Sequence, residues 1–352
     1  MATGQLTVDV IVQFVNEADH NLGSVFSRGF NMAGELQNIR ELTCEPDLTQ
    51  LASATGLAAR GDSAAQAEIC GAMLWASSAA PGAIPGIFST ICSAQTGRPA
   101  REVKLDVPAV TIPEVFWRIF EDMLTGPEGG YDATSITVAV ASLGAALDGG
   151  YAALSEQAAM DHPGADRAEL KPIPPMISLA ELGGLPDGSL ARELLSMWVD
   201  NGFDPEVLDR DAIGLGTLSP ALGYLNTRIL QMHDVWHLVA GYQTTSLHEM
   251  AISAFQLAQF GHNYSAMFLT TVCTMSHLRQ PQGFGLLLQN LSEAWHHGVQ
   301  CPPLMAVDWE QEWSQDIKSL RRKLGIEPFA GSLPADLLEQ LAAASQIGRA
   351  HV

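Results

Sequence analysis

Residues 69–97 and 250–278 contain no Asp, Glu, Lys or Arg. Each stretch is long enough to span a bilayer, for which about 20 apolar residues suffice. The first holds Pro81, Gly82, Pro85 and Gly86, with many Ser and Ala. The second holds Gln256, Gln259, His262, Asn263 and His277. Polar side chains are expensive inside hydrocarbon. Both stretches are therefore read as buried or lipid-facing segments of a soluble protein. A chain of 352 residues is long enough to surround them.

Composition narrows the function classes. Hydrophobic residues are 47% and charged residues 16%, against roughly 25% charged in ordinary soluble domains. Chain-wide disorder is excluded, because it needs a polar, highly charged sequence. The net charge of −21 argues against nucleic-acid binding, which needs basic patches to displace counterions. It equally opposes simple electrostatic docking on anionic lipid. Cys44, Cys70, Cys92, Cys273 and Cys301 form no CxxC pair, so a disulfide scaffold or thiolate zinc finger is not expected. The first residues show no basic, apolar or cleavage pattern of a signal or transit peptide. The expected location is cytoplasmic, with peripheral contact to a bacterial inner membrane.

The periodicity is helical, and the expected fold class is all-α. Pro113 and Glu114 mark a helix start, and 126–130 mark its end. Residues 133–147 read as a helix, although Ile136, Val138 and Val140 also suit a strand. Further helices are expected near 189–199, 220–240, 247–277, 284–297, 309–324 and 334–345. The Val8, Val10, Val12 alternation is too short to claim a sheet. No repeat of fixed period is visible. The Pro- and charge-rich residues 161–175 suggest a boundary. The expected division is a mainly helical region at 1–170, a core at 171–328 and a C-terminal helix and tail at 329–352.

Seven of the ten histidines lie between His233 and His297. His233 and His237 are four apart, so one helix presents both on one face. That spacing lets one helix offer two imidazoles to one metal ion. On a continuous helix Glu249 would lie about 18 Å from His237 along the axis. The segment 241–246, Gly-Tyr-Gln-Thr-Thr-Ser, can turn the chain. Glu249 could then open the next helix and face the imidazoles. Asp234 is either a further oxygen ligand or the acceptor that fixes a histidine tautomer. Two histidines on a partly solvated face are the plain alternative.

The pattern HDxxH, eleven residues, then E resembles the signature of the ubiquinone biosynthesis family named for the fourth Coq protein (Coq-four). Upstream, 185–190 (LPDGSL) and 201–205 (NGFDP) resemble that family's entry segment. Downstream, Ala294-Trp295, Gly298, Asp308-Trp309-Glu310 and Leu324-Gly325-Ile326 resemble its closing helices. The resemblance covers 172–328, and 36–52 carries a faint echo; 55–170 has no counterpart. It implies a helical homodimer or higher homo-oligomer lying against the membrane that holds its lipid substrate. It implies a divalent metal, zinc, on His233, Asp234, His237 and Glu249; two histidines with carboxylates also suit iron. The implied reaction is oxidative decarboxylation of a polyprenylated hydroxybenzoate, a hydroxyl replacing the ring carboxylate. Implied partners are that polyprenylated benzoate lipid and other ubiquinone biosynthesis proteins. The alternatives are a non-catalytic lipid-binding scaffold and a metal hydrolase unrelated to quinones.

Several further residues are candidates. Arg228 could hold a substrate carboxylate or form a structural ion pair. Phe255, Phe260 and Phe268 could line an apolar groove for the polyprenyl tail or belong to the core. His248 could assist proton transfer. Arg321, Arg322 and Lys323 are the basic cluster, facing headgroups or solvent. Asp200, Asp204, Glu206, Asp209 and Asp211 lack the spacing of a calcium loop.

Overall fold

The computed structural model describes residues 32–100, 105–127, 131, 133–166, 168–202 and 214–349. Val8, Val10, Val12, Phe203, Asp204, Pro205, Glu206, Asp209 and Asp211 lie outside the described residues. The first half contributes α1 (Met32–Leu42), α2 (Leu48–Ala58), α3 (Ser63–Ser78), α4 (Ile84–Thr96), α5 (Glu114–Thr125), α6 (Ala133–Ala145) and α7 (Gly149–Met160). Short α8 (Leu179–Gly183) and α9 (Leu190–Asn201) follow. The second half holds α10 (Pro220–Ala240), α11 (Ser246–Phe260), α12 (Asn263–Arg279), α13 (Phe284–Gln300), α14 (Ile317–Leu324) and α15 (Leu337–Arg349). Among the described residues there is no strand, only one isolated bridge between Ser189 and Asp316. The all-α class follows, and 133–145 takes the helical of its two readings.

Local chemistry sets the helix ends. Asp47, Asp62 and Asp148 accept from backbone N–H groups in the first turns of α2, α3 and α7. Ser219 caps α10, with Pro220 at the first helical position. The stretch 247–277 is two helices, where one continuous helix was expected. Gly261 breaks it at φ 59°, and a Cβ there would sit 2.3 Å from His162 Nε2. The expected helix over 309–324 is likewise divided, into a 3₁₀ turn at Trp309–Gln311 and α14.

The two uncharged stretches become the centre of one continuous core. In α12, Ser265 through Leu278 are all buried. Its threonines satisfy themselves on the preceding turn. Thr270 donates to Ala266 O at 2.7 Å, Thr271 to Met267 O at 2.9 Å and Thr274 to Thr270 O at 2.8 Å. A helix buried on all sides cannot carry charge, which explains the composition. Helix α3 packs along α12, α4 along α13, and α11 on α13. Gly298 lets α13 approach α11 closely: a Cβ there would lie 2.6 Å from Phe255 O. No single described helix is long and apolar enough to cross a membrane. One bent pair, Ser135–Ala145 with Gly149–Met160 at 109°, passes by length and composition together.

Candidate metal centre

Helix α10 ends at Gly241, whose φ is 82°. A Cβ there would lie 2.7 Å from Pro328 Cβ, so glycine is required twice over. The chain turns through 241–245, and α11 runs back with Glu249 in its first turn. The turn anticipated from the sequence is present, and it brings Glu249 to both imidazoles. Glu249 Oε2 lies 3.3 Å from His233 Nε2 and Oε1 lies 3.4 Å from His237 Nε2. The two Nε2 atoms are 3.1 Å apart. Asp234 joins the group, since His233, Asp234 and His237 each offer one ligand atom within 4.8 Å of the others.

The surrounding side chains set the orientation of this group. His237 Nδ1 faces the Tyr242 carbonyl at 3.3 Å, so Nδ1–H donates and the Nε2 lone pair points into the site. Trp198 Nε1–H donates to Asp234 Oδ2 at 2.6 Å. Gln256 Nε2 donates to His233 Nδ1 at 2.7 Å. Beyond Gln256, Ser265 Oγ lies 2.9 Å from His262 Nδ1, and His262 Nε2 lies 3.2 Å from Asn226 Oδ1. Neither Trp198 nor Gln256 stood out in the sequence. Trp198 is 36 residues from Asp234, and no local spacing reports such a pair.

The electrostatics are those of a preformed acid–imidazole cluster. Burial pushes the Glu249 carboxyl up, but His237 and His233 outweigh it by charge and hydrogen bonding. The net effect holds Glu249 well below the usual carboxylate range. Burial lowers His237, yet the Glu249 carboxylate, with Asp234 and the Tyr242 carbonyl, raises it overall. The side chain of His237 is 1% exposed, those of His233 and Glu249 30% and 25%. The site is therefore deep at His237 and open at the other two.

The donor set fits a small dication. Ligand bonds of 2.0–2.1 Å in a tetrahedron place donors about 3.3 Å apart. The two Nε2 atoms are 3.1 Å apart, and the Glu249 carboxylate approaches them through different oxygens, Oε2 at 3.3 Å from His233 and Oε1 at 3.4 Å from His237. Two imidazoles and a carboxylate leave a further position for Asp234 or a substrate oxygen.

The remaining candidates fall elsewhere. Buried Arg228 forms a two-pronged ion pair with Glu310, the NH2–Oε2 contact being 2.8 Å. Phe255 packs among Tyr242 and His297, and Phe260 against Trp236 and His262. Phe255, Phe260 and Phe268 are all buried in the core. An apolar pocket open to solvent lies instead between α11, α12, α13 and α15. Leu247, Met250, Met275, Leu287 and Leu338 line it. The first turn of α11 thus serves two sides, Glu249 towards the imidazoles and Leu247 and Met250 towards the pocket. His248 is buried and accepts the Gln243 N–H at 2.9 Å. Arg321 donates to the carbonyls of Leu238 and Val239, closing the end of α10.

Comparison with known proteins adds a family. The sequence profile of the coenzyme Q (ubiquinone) biosynthesis protein Coq4 matches residues 157–330. The ubiquinone biosynthesis protein COQ4 homolog, mitochondrial, of Aedes aegypti is 35% identical over 108 residues, 31% of this chain and 39% of that one. Its namesake in Rattus norvegicus is 29% identical over 158 residues, 43% and 56% of the two chains. The chain spans about half the length of the curated relatives it matches. A crystal structure of a Nostoc punctiforme protein assigned to ubiquinone biosynthesis superposes with a TM-score of 0.46 at 26% identity. It covers 60% of this chain and 96% of its own.

Proposed function

Because residues 157–330 match the Coq4 family, we propose that this chain acts in ubiquinone biosynthesis with a divalent metal held by His233, Asp234, His237 and Glu249. The reaction we assign is oxidative decarboxylation of a polyprenylated hydroxybenzoate. The ring–carboxylate bond breaks and carbon dioxide leaves; a hydroxyl supplied by water takes its place, and the two electrons pass to dioxygen, which leaves as hydrogen peroxide. Bound zinc would supply Lewis acidity towards the phenol and carboxylate, and bound iron would add redox capacity.

The protein's own residues support this in three ways. Trp198 holds Asp234 in place, and Gln256, with its carboxamide turned to accept from Nδ1–H, would hold His233 with Nε2 free for the metal. Glu249, kept ionised beside His237 and His233, would offer a carboxylate oxygen to the metal. The apolar pocket beside the same turn of α11 suits a prenyl tail or other hydrocarbon. The observation that carries the proposal is the meeting of the two Nε2 atoms, 3.1 Å apart, with the Glu249 carboxylate, whose oxygens lie 3.3 Å from His233 and 3.4 Å from His237.

Metal content of untagged protein, by elemental mass spectrometry beside the His233→Ala/His237→Ala variant, tests it. Near one equivalent in the wild type, absent from the variant, with lower ubiquinone output in cells, is expected. Unchanged ubiquinone output in a metal-free variant would sink the metal-dependent reaction. The pocket also favours a second reading, a non-catalytic lipid-binding scaffold for other ubiquinone-making proteins. That reading predicts full output from the ligand variants and loss only when the pocket is filled. Peripheral association with the membrane holding the lipid goes with either reading.

A further inference from the structure

The segment α2–α4 and the segment α11–α13 share one construction, displaced by a constant offset. The 3₁₀ turn Pro81–Ala83 joins α3 to α4, and Pro281–Gly283 joins α12 to α13. Ala80 has φ −134° and ψ 69°, and Gln280 has −141° and 59°. Ala83 has −83° and −14°, and Gly283 −84° and −12°. Ala83 N–H donates to Ala80 O at 2.8 Å, and Gly283 N–H to Gln280 O at 2.9 Å. Helices α3 and α12 begin at Ser63 and Asn263, α4 and α13 at Ile84 and Phe284. Before them Gly61 and Gly261 both have positive φ. Ser53, Ala54, Leu57, Ala58, Gly61, Pro81 and Ala94 recur as Ser253, Ala254, Leu257, Ala258, Gly261, Pro281 and Ala294.

The two units face each other as the halves of a symmetric dimer do. In a two-fold interface, residue i meets j and j meets i, and residues on the axis meet their own counterparts. Thr96 Oγ1 lies 2.8 Å from His296 Nε2, 200 residues on. The Cys92 thiol lies beside Ser292 at the same offset. Away from the axis the contacts pair reciprocally to within one residue: Phe88 stacks on Trp295, and Gln95 donates to Gln289 at 3.1 Å. Helix α3 lies on its counterpart α12, and α4 on α13.

The first unit carries none of the site. Leu48 and Thr49 stand where the second unit has His248 and Glu249. Residues 32–97 contain no histidine. Trp75 stands where Met275 lines the apolar pocket.

We propose that α2–α4 is a site-less internal copy of α11–α13 that serves as its built-in partner subunit. It occupies the α12–α13 face that a second chain would otherwise take. The chain is then a monomer with one metal site, and the expected homodimer is replaced by an internal pair. The metal count rests on the proposed function; the pairing does not.

Two measurements test the pairing on the full chain. Light scattering of the wild type should give a single species of 37.6 kDa, and a stable dimer would overturn the proposal. Thr96→Cys/His296→Cys, in a Cys44→Ser background, is treated with a short bis-thiosulfonate linker and mapped by peptide mass spectrometry. The expected product is linked within one chain, at monomer mass. A product linked between chains, or no 96–296 link in folded protein, would overturn it. Gln95→Cys/Gln289→Cys provides a second pair at the same face and should behave alike. If the wild type proves metal-free, the proposed function fails while both of these measurements still stand or fall on their own.

Discussion

The Trp198 indole N–H meets the Asp234 carboxylate at 2.6 Å and ties α9 to the ligand helix α10. Both partners are at least half-buried, so the bond is shielded from water. Trp198→Phe keeps most of the packing and removes the donor. Partners of this kind typically cost about 10–100-fold in metal affinity when removed. We expect at least about tenfold weaker zinc binding at unchanged helicity, read by competition against a chromophoric chelator. Equal affinity would mean that Asp234 is not held for the metal.

Gln256 governs which nitrogen of His233 carries the proton. Its N–H donates to Nδ1, which places the ring proton on Nε2, facing Glu249. Metal binding needs the reverse tautomer. A turned carboxamide would accept from Nδ1–H and donate towards Ser265 Oγ, 3.5 Å from the present Oε1. Gln256→Glu keeps an acceptor and should retain zinc. Gln256→Leu keeps neither group and should lose affinity by about tenfold. Identical binding curves for the two variants would remove Gln256 from the site.

His262 makes a pH prediction outside the ligand set. Burial, then the nearby His233, pushes it down to about 3 from an ordinary value of 6.5. The unfolded chain therefore binds this proton across the window between those values, and the native state does not. Stability falls as pH falls through that window, with a slope of at most about 1.4 kcal/mol per pH unit from this group. His262→Gln should flatten the fall in urea midpoint between pH 7.5 and 5.5. A parallel fall in both proteins would assign the acid sensitivity elsewhere.

Helix α11 borrows its N-terminal cap from the C-terminal segment. Thr245 makes no side-chain cap bond, and Glu339 of α15 accepts the Ser246 N–H at 2.9 Å. Glu339→Ala should cost about 1 kcal/mol of stability, the usual worth of a cap. Amides at 246–249 should exchange faster than in wild type, as hydrogen-exchange mass spectrometry would show. No change there would place the strength of this turn in its packing alone.

The meeting of His233, His237 and Glu249 was more legible than its surroundings. The HDxxH spacing and the Gly241 turn are local signals, and Glu249 follows from them directly. The all-α class was legible for the same reason. The division of α11 from α12 was missed because one glycine in an apolar run looks tolerable until His162 is seen against it. Phe255 and Phe260 were natural groove candidates, but an apolar side chain does not announce which face of a crowded helix it fills. The kinship of α2–α4 with α11–α13 was invisible because it survives in turn geometry and small residues. Their identical positions, such as Ala54 with Ala254 and Pro81 with Pro281, are too few to mark a period.

The facing of α3–α4 on α12–α13 within one polypeptide also changes the arithmetic of association. Two separate subunits part on dilution, whereas tethered ones meet at an effective concentration set by the connecting chain and independent of protein concentration. The fold around Glu249 should then be indifferent to how little of the protein is present.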